Sequence, residues 1–398
     1  MHDPTAEVDA LRDNPEALND PDALAPTIAE VDLANLRHNA RTLKAYAGSA
    51  ELMGVVKADA YGHGAPRIAH TLQEEGVRHF AVATLPEAIR LRQAGIEDMI
   101  LVFAAPLPEY LPHYARYALD VTVPSLDVAR DVLDTARTWG PMRVHVKVDT
   151  GMGRIGVPPE EVGDVIRLFE NKENVQIGGL WTHFAMADEP QDAVTEEQIR
   201  RFDAVIEQFP DAAEYVHLAN SPATLRYPES HRPYRRALVR TGMALYGYTN
   251  LASLTAEAGL RPVMTVRSRV THLKTVPPGT PLSYGHTWRS PDWRRIATVS
   301  AGYADGYPRN ASNEAEVAIR GRRYRQVGNV CMDMVMVDLG NPDGPGAAVQ
   351  AGDDAILFGE AGPTAFELAQ WARTIPYEIT CRVAPRVPRR YHNGELRG

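Results

Sequence analysis

Cysteine is almost missing from this chain: two in 398 residues, Cys331 and Cys381, in no CxxC pattern. Two such thiols build no disulfide framework and point to a reducing cytoplasm. Long apolar runs are missing as well, and none approaches the roughly 20 residues that a membrane-spanning helix needs. The N-terminus lacks the basic and apolar regions of a signal peptide. Positive charge is not in excess. The formal net charge is −9, which gives no sign of nucleic acid or an anionic membrane as a partner. Glycine and proline, 30 of each, are dispersed as turn punctuation and form no low-complexity tract. No internal repeat stands out beyond the strand–helix alternation described next.

What is present is a globular composition, 44% hydrophobic and 23% charged, in a chain too long for one ordinary core. Two domains are therefore expected. Residues 1–25 hold seven acidic residues and one Arg, the composition of a disordered extension. From residue 26 the pattern becomes regular. "TIAEVD" reads as a strand, with Asp32 as the cap of the helix "LANLRHNARTLKAYA". Eight β-branched or apolar runs follow: "LMGVVK", "HFAVAT", "MILVF", "DVTVP", "RVHVKVD", "VQIGGLWTHF", "YVHLA" and "ALVRTG". Helical patterns lie between most of them. Eightfold alternation at similar spacing predicts a (β/α)8 barrel over residues 26–258, with an open doubly wound sheet as the competitor. Beyond residue 258 strand-like alternation dominates, and "PTAFELAQWART" is the one clear helix. Residues 259–398 are expected to form a mostly β second domain.

Function in such barrels collects at the C-terminal ends of the strands. Lys57 ends the first run, Arg154 follows the fifth, and His183 ends the sixth. His217, Asn220 and Ser221 close the seventh; Arg240 and Gly242 end the eighth. Singly, each has an ordinary structural explanation: a solvated lysine, a hydrogen-bonded core histidine, a turn arginine. Together, at one end of five strands, they point to a site. One literal motif is misleading. "GMGRIG", residues 151–156, matches GxGxxG after a strand, but Pro158 and Pro159 delay the helix that a dinucleotide would need. An Arg in a glycine-rich turn suits a carboxylate or phosphate better.

At this point nine stretches resemble the alanine racemases, which use pyridoxal 5'-phosphate (PLP). They are "VVKADAYGHG", "KVDTGMGRIGV", "THFAMADE", "HLANSPATL", "VRTGMALYG", "LSYGHTW", "GYADGYPR", "GNVCMDMVMVD" and "IPYEITCRVAPRVPRRY", in the family's order over residues 27–391. The resemblance implies a PLP-binding barrel followed by a β domain, and interconversion of L- and D-alanine supplying D-alanine for peptidoglycan. It implies Lys57 as the residue holding PLP as a Schiff base and returning a proton to the α-carbon. It implies Tyr284 as the second base, contributed by the partner subunit of a homodimer. A free phenol has a pKa of about 10 and needs tuning to work near neutrality. The family's means match His183 and Arg240, with His217 behind them. Arg240 also matches the arginine that faces the pyridine nitrogen, which it does not readily protonate. Phosphate contacts are carried over to Tyr61, Ser221, Gly242, Met243 and Tyr377. Substrate contacts are carried over to Arg154 and the Met332 N–H, with Tyr303 and Asp333 at a constricted entrance. Lys147 matches a lysine that can be carbamylated to orient the arginine. No metal is implied. Other readings of the same residues are a broad-specificity racemase, a barrel decarboxylase, a PLP-binding carrier and a PLP-free isomerase.

Overall fold

The computed structural model describes residues 22–189, 193–232, 234 and 236–393. The expected disordered extension, 1–25, lies outside the described residues except for 22–25. The chain divides into two compact units: Asn35–Arg261, and a second made of Pro262 onward together with the described residues up to Ala34.

The first unit is the expected barrel. Its strands are β2 (Glu51–Val55), β3 (His79–Val82), β4 (Met99–Val102), β5 (Asp120–Val123), β6 (Met142–Lys147), β7 (Val175–Trp181), β8 (Tyr215–His217) and β9 (Leu238–Thr241). All eight coincide with the apolar runs read from the sequence. They pair in parallel in the order β8-β7-β6-β5-β4-β3-β2-β9, and the ring closes through a single parallel bridge between Val216 and Ala237. Parallel strands are covered on both faces, so they read as continuous apolar runs rather than alternating ones. Every residue of β3 and β5 is buried. Helices lie between the strands. Leu126–Trp139 is capped by Ser125, whose hydroxyl accepts the Val128 N–H. Leu85–Gln93 carries a Thr84–Glu87 capping box.

The second unit is built on β10 (Met264–Val276), thirteen residues long. Register shifts near Val266 and Val270 bend it, so one half pairs with β17 (Asp354–Phe358) and the other with β13 (Arg294–Val299). The antiparallel ring is completed by β14 (Glu316–Ile319), β15 (Arg322–Val327) and β16 (Val335–Asp338). A two-stranded hairpin of β11 (Pro281–Leu282) and β12 (Trp288–Arg289) stands apart from it.

One boundary differs from expectation. Strand β1 (Ile28–Asp32), expected at the head of the barrel domain, belongs to the β unit. It pairs antiparallel with β10 and parallel with β18 (Arg389–His392), a strand the sequence reading did not anticipate. The chain thus begins in one unit's sheet and crosses into the other through the helix Leu33–Ala47, which Asp32 caps by accepting the Ala34 N–H at 2.8 Å.

Phe80 of β3 is fully buried beside Gly54 of β2. Phe80→Ala is expected to destabilise the barrel by about 3–5 kcal/mol through lost burial and the cavity left behind. A thermal midpoint equal to the parent's would contradict that.

Candidate active site

The stretch "VVKADAYGHG" leaves β2 and immediately turns. Ala58, Asp59, Ala60 and Tyr61 all have φ between +52° and +55°, one turn of left-handed helix. Each such residue costs roughly 1–2 kcal/mol outside glycine. Local hydrogen bonds hold the turn. Glu87 accepts the Ala58 N–H at 2.7 Å, and Asp59 accepts the Ala65 N–H at 2.7 Å. The Gly62 N–H reaches the Ala58 carbonyl and the Gly64 N–H reaches Asp59, both at 2.9 Å. Tyr246, fully buried, packs on the Tyr61 and His63 rings and donates to the Val55 carbonyl at 3.0 Å. The result fixes the Lys57 amine 5.9 Å over the Tyr61 ring.

Arg240 of β9 is buried, 3% exposed. Its guanidinium donates to the carbonyls of Thr182 (2.7 Å), Leu218 (2.9 Å) and His217. It also faces His183 Nδ1 at 3.3 Å and His217 Nδ1 at 3.4 Å. Behind it, His217 Nε2 lies 2.9 Å from His145 Nδ1, and His145 Nε2 lies 2.9 Å from Asp120 Oδ2. Trp181 stacks on His217 at 5.6 Å and 3°, with the Arg240 guanidinium 5.0 Å and the Lys147 ammonium 5.1 Å from its ring. Burial holds both His183 and His217 well below the usual imidazole range, reinforced at His183 by Arg240 and at His217 by His145. Both are neutral at pH 7. Burial, with Arg154 nearby, brings Arg240 down to about 9.

Lys147 ends β6, buried, and donates to the Val148 carbonyl at 2.8 Å. Burial first, then Arg240, lowers it to about 7. The "GMGRIG" turn follows. Its Gly151 and Gly153 N–H groups point at Asp149, at 3.1 Å, so they serve a side chain and not a dinucleotide phosphate. The helix Val162–Phe169 opens only after the two prolines. Arg154 is exposed at the tip of this turn.

A fourth feature is a tight cradle. A side-chain carbon at Gly242 would sit 2.5 Å from the Tyr61 hydroxyl, so only glycine lets the two approach. Ser221 Oγ accepts the N–H groups of Gly242 (2.9 Å) and Ala244 (3.4 Å), which leaves its own proton to donate. The Gly242 N–H, assigned to the phosphate by the resemblance, is therefore engaged by Ser221. Met243 opens the short 3-10 turn Met243–Tyr246 beside it. Two hydroxyls beside a glycine gap, a lysine on the adjoining turn and a buried cation suit an anionic ring cofactor such as PLP.

The β unit gathers the remaining candidates on its own loops. Tyr284 begins the short turn Tyr284–His286, its side chain 72% exposed, with its carbonyl accepting from Asn329 at 2.7 Å. The Tyr303 and Ala304 N–H groups donate to the Cys331 and Met332 carbonyls at 3.0 Å, which brings Tyr303 beside Met332. Arg386 spans Asp305 (2.7 Å) and Asp333 (2.8 Å), tying these two loops together. Tyr377 lies in the helix Pro376–Cys381 and is half-buried. Among the described residues there is no His, Cys, Asp and Glu group able to hold a metal, and no helix long and apolar enough to cross a membrane.

Sequence reasoning missed His145, Asp120, Trp181 and Tyr246. A signal for His145 was available: in "RVHVKVD" the polar residues Arg143, His145 and Lys147 alternate, placing them on one face of the strand.

Residues 31–250 match the model for the alanine racemase N-terminal domain, and residues 263–391 the model for the alanine racemase C-terminal domain. The chain is 42% identical to the alanine racemase of Chlorobaculum tepidum over 92% of its own length and 95% of that protein's. It is 40% identical to the alanine racemase of a Nostoc species, over 90% and 94%. Among solved structures it resembles the alanine racemase of the D-cycloserine-producing Streptomyces lavendulae, with TM-score 0.86, 39% identity and coverage of 93% and 98%. That of Streptomyces coelicolor gives 0.86, 39%, 94% and 100%.

Lys147 offers a pH test. Its folded value of about 7 lies below the ordinary 10.5. Between those values the unfolded chain holds the proton and the folded chain does not, so this group's contribution to stability rises with pH. Lys147→Met should gain most on the parent near pH 7 and lose that advantage as the pH approaches about 10. Melting midpoints of both proteins across that range check the sign, and a gap that stays constant would contradict it.

Proposed function

The chain belongs to the alanine racemase family, and on that footing we propose that it interconverts L- and D-alanine with PLP held in the barrel by Lys57. Bound there, PLP supplies an electron sink that makes the α-hydrogen of alanine removable. The chain's own residues do the rest. Ser221 and Tyr61 hold the phosphate through their hydroxyls. Lys57, fixed by the left-handed turn, anchors the cofactor and moves the α-proton on one face. Tyr284 of the partner subunit serves the other face, which makes a homodimer a condition of activity.

Arg240 would face the cofactor's ring nitrogen when PLP is bound. Three of its hydrogen bonds go to carbonyls and it stays cationic below about pH 9, so it would orient the ring without surrendering a proton readily. His183, neutral and 3.3 Å from Arg240, is placed to pass the effect toward the tyrosine base. Arg154, a free-standing cation at the tip of its turn, takes the substrate carboxylate with the Met332 N–H. Tyr303 and Asp333 narrow the approach and favour alanine over larger amino acids. A neutral Lys147 amine is the form that reacts with carbon dioxide. Its value of about 7 leaves roughly half of it neutral at pH 7, in keeping with carbamylation. The product D-alanine serves peptidoglycan, and the site of action is the cytoplasm.

The observation that carries this reading is the buried Arg240, surrounded by carbonyls and neutral imidazoles at the same barrel end as Lys57. A racemase assay on alanine, serine, lysine and arginine with and without PLP tests it; no PLP-dependent turnover of alanine sinks it. Lys57→Ala should lose both the yellow, borohydride-sensitive cofactor linkage and racemisation. Tyr284→Phe should keep the cofactor and slow proton removal from L-alanine more than from D-alanine. α-Hydrogen exchange into deuterated solvent reads each isomer separately; equal loss of exchange from L- and D-alanine, or none, would rule out the two-base assignment.

A further inference from the structure

Asp120, His145, His217 and Arg240 stand in one line through the barrel interior, on β5, β6, β8 and β9. All four are buried, the two histidines completely. The function proposed above uses Arg240 and, behind it, His217. It leaves Asp120 and His145 without a task. We propose that Asp120 and His145 are positioning residues for Arg240: through a one-way chain of hydrogen bonds they fix His217 as its Nε2–H tautomer, so that the Nδ1 lone pair always faces the guanidinium. The task given to Arg240 rests on the racemase reading; the chain itself does not.

The direction follows from the two ends. A carboxylate only accepts and a guanidinium only donates. Asp120 Oδ2, 2.9 Å from His145 Nε2, requires a proton on that nitrogen. A neutral imidazole then offers its other nitrogen as an acceptor. His145 Nδ1, 2.9 Å from His217 Nε2, therefore receives the proton that His217 carries there. That leaves His217 Nδ1 as an acceptor, and the group facing it is Arg240 Nη1 at 3.4 Å. Two imidazoles that hold one proton each have, between these ends, one arrangement in which no donor meets a donor. The opposite tautomer of His217 would set N–H against N–H at Arg240 and lone pair against lone pair at His145.

The strand between the two histidines is shaped to let them touch. His145 on β6 pairs with Gly179 on β7, and Gly179 pairs with Tyr215 on β8. A side-chain carbon at Gly179 would lie 2.3 Å from His145 Nδ1 and 2.8 Å from His217 Nε2. A register irregularity between Val144 and His145 places a second glycine, Gly178, opposite the same ring, where a side-chain carbon would lie 3.0 Å from His145 Nε2. Gly179 leaves a gap in β7 at the place where the two imidazoles meet, and Gly178 makes room for Arg143, whose Nε would lie 2.4 Å from a side-chain carbon there. The arrangement also sets a carboxylate at the far end of the line from a cation that, among the described residues, touches none directly.

The test is the histidine ¹⁵N spectrum of the full-length holoenzyme, with signals assigned through single-histidine variants. In the parent protein, His145 and His217 should both carry their proton on Nε2 and show Nδ1 as an acceptor. Asp120→Asn supplies an amide that can donate to His145 Nε2 and reverse the chain, so a second His217 tautomer should appear. Its kcat should fall roughly ten- to a hundredfold, the usual scale for a lost supporting partner, with KM for alanine little changed. Gly179→Ala should do the same by parting the two rings. A parent His217 protonated on Nδ1 overturns the proposal whether or not either variant folds. So do folded variants with the parent's tautomers and kcat. The spectrum needs no turnover, so it is decided separately from the racemase reading.

Discussion

The barrel unit depends on how it accommodates one buried cation. Removing a guanidinium from water is expensive unless every donor finds an acceptor. Among the described residues no carboxylate touches Arg240. Its acceptors are instead the carbonyls of Thr182, His217 and Leu218, at or just beyond the ends of β7 and β8, where the parallel ladder stops using them. The same residue's backbone N–H reaches the Ala219 carbonyl at 2.9 Å. Arg240 therefore fastens β9 to the ends of β7 and β8 at the one seam where the barrel ladder is reduced to a single bridge. The side chain to which the proposed function gives a chemical task is also a closure device, and its loss would be felt in both.

The electrostatic character of the site follows. Lys57, Lys147, Arg154 and Arg240 converge in a chain whose formal charge is −9. Of these, the buried Lys147 and Arg240 are the cations that burial and neighbouring positive charge disfavour. Burial first, and then Arg240, holds His183 neutral and Lys147 far below the ordinary lysine value. A cluster of this kind is a standing attraction for an anion, and its field acts locally even when the whole chain repels anions. A phosphate and a carboxylate are the two anions that the proposed reaction brings there.

The fold was largely legible because it is written in periodicity. Eight apolar runs marked eight strands, and the shift to alternation marked the β unit. Placement of β1 was not legible: "IAEVD" says strand, but its partners, β10 and β18, lie more than 200 residues away. The left-handed turn at Ala58–Tyr61 was half legible. Gly62 and Gly64 announced a turn, yet nothing in "ADAY" announces four positive φ values, because the bonds from Glu87 and the buried Tyr246 that sustain them are tertiary. The candidate residues at strand ends were picked out by their position. His145 and Asp120 were not, because they lie deeper in the barrel, where the sequence shows only a polar residue inside an apolar strand. What they do depends on Gly179, which reads as an ordinary strand glycine until its neighbours' rings are placed.

The two glycine-rich elements show why pattern and physics can part. "GMGRIG" has the spacing of a dinucleotide loop, but its free N–H groups are spent on Asp149. Gly156, at φ +137°, is required because a side chain there would meet the Asp149 backbone at 2.6 Å. The glycines exist to fold the turn back on its own strand. What that achieves is the exposure of Arg154, held by a backbone that needs no ligand to order it. Lys57 is presented in the same way, on a turn that is costly in isolation and stabilised by its surroundings. Lys147, His217 and Arg240 are set instead in the rigid strands or at their ends. Within the barrel unit, and Arg240 apart, the groups proposed to bind a cofactor or substrate directly thus sit on tightly determined turns at the strand ends. Those that tune charge and hydrogen bonding are built into the sheet, where packing gives them little freedom to relax and a fixed direction for every proton they hold.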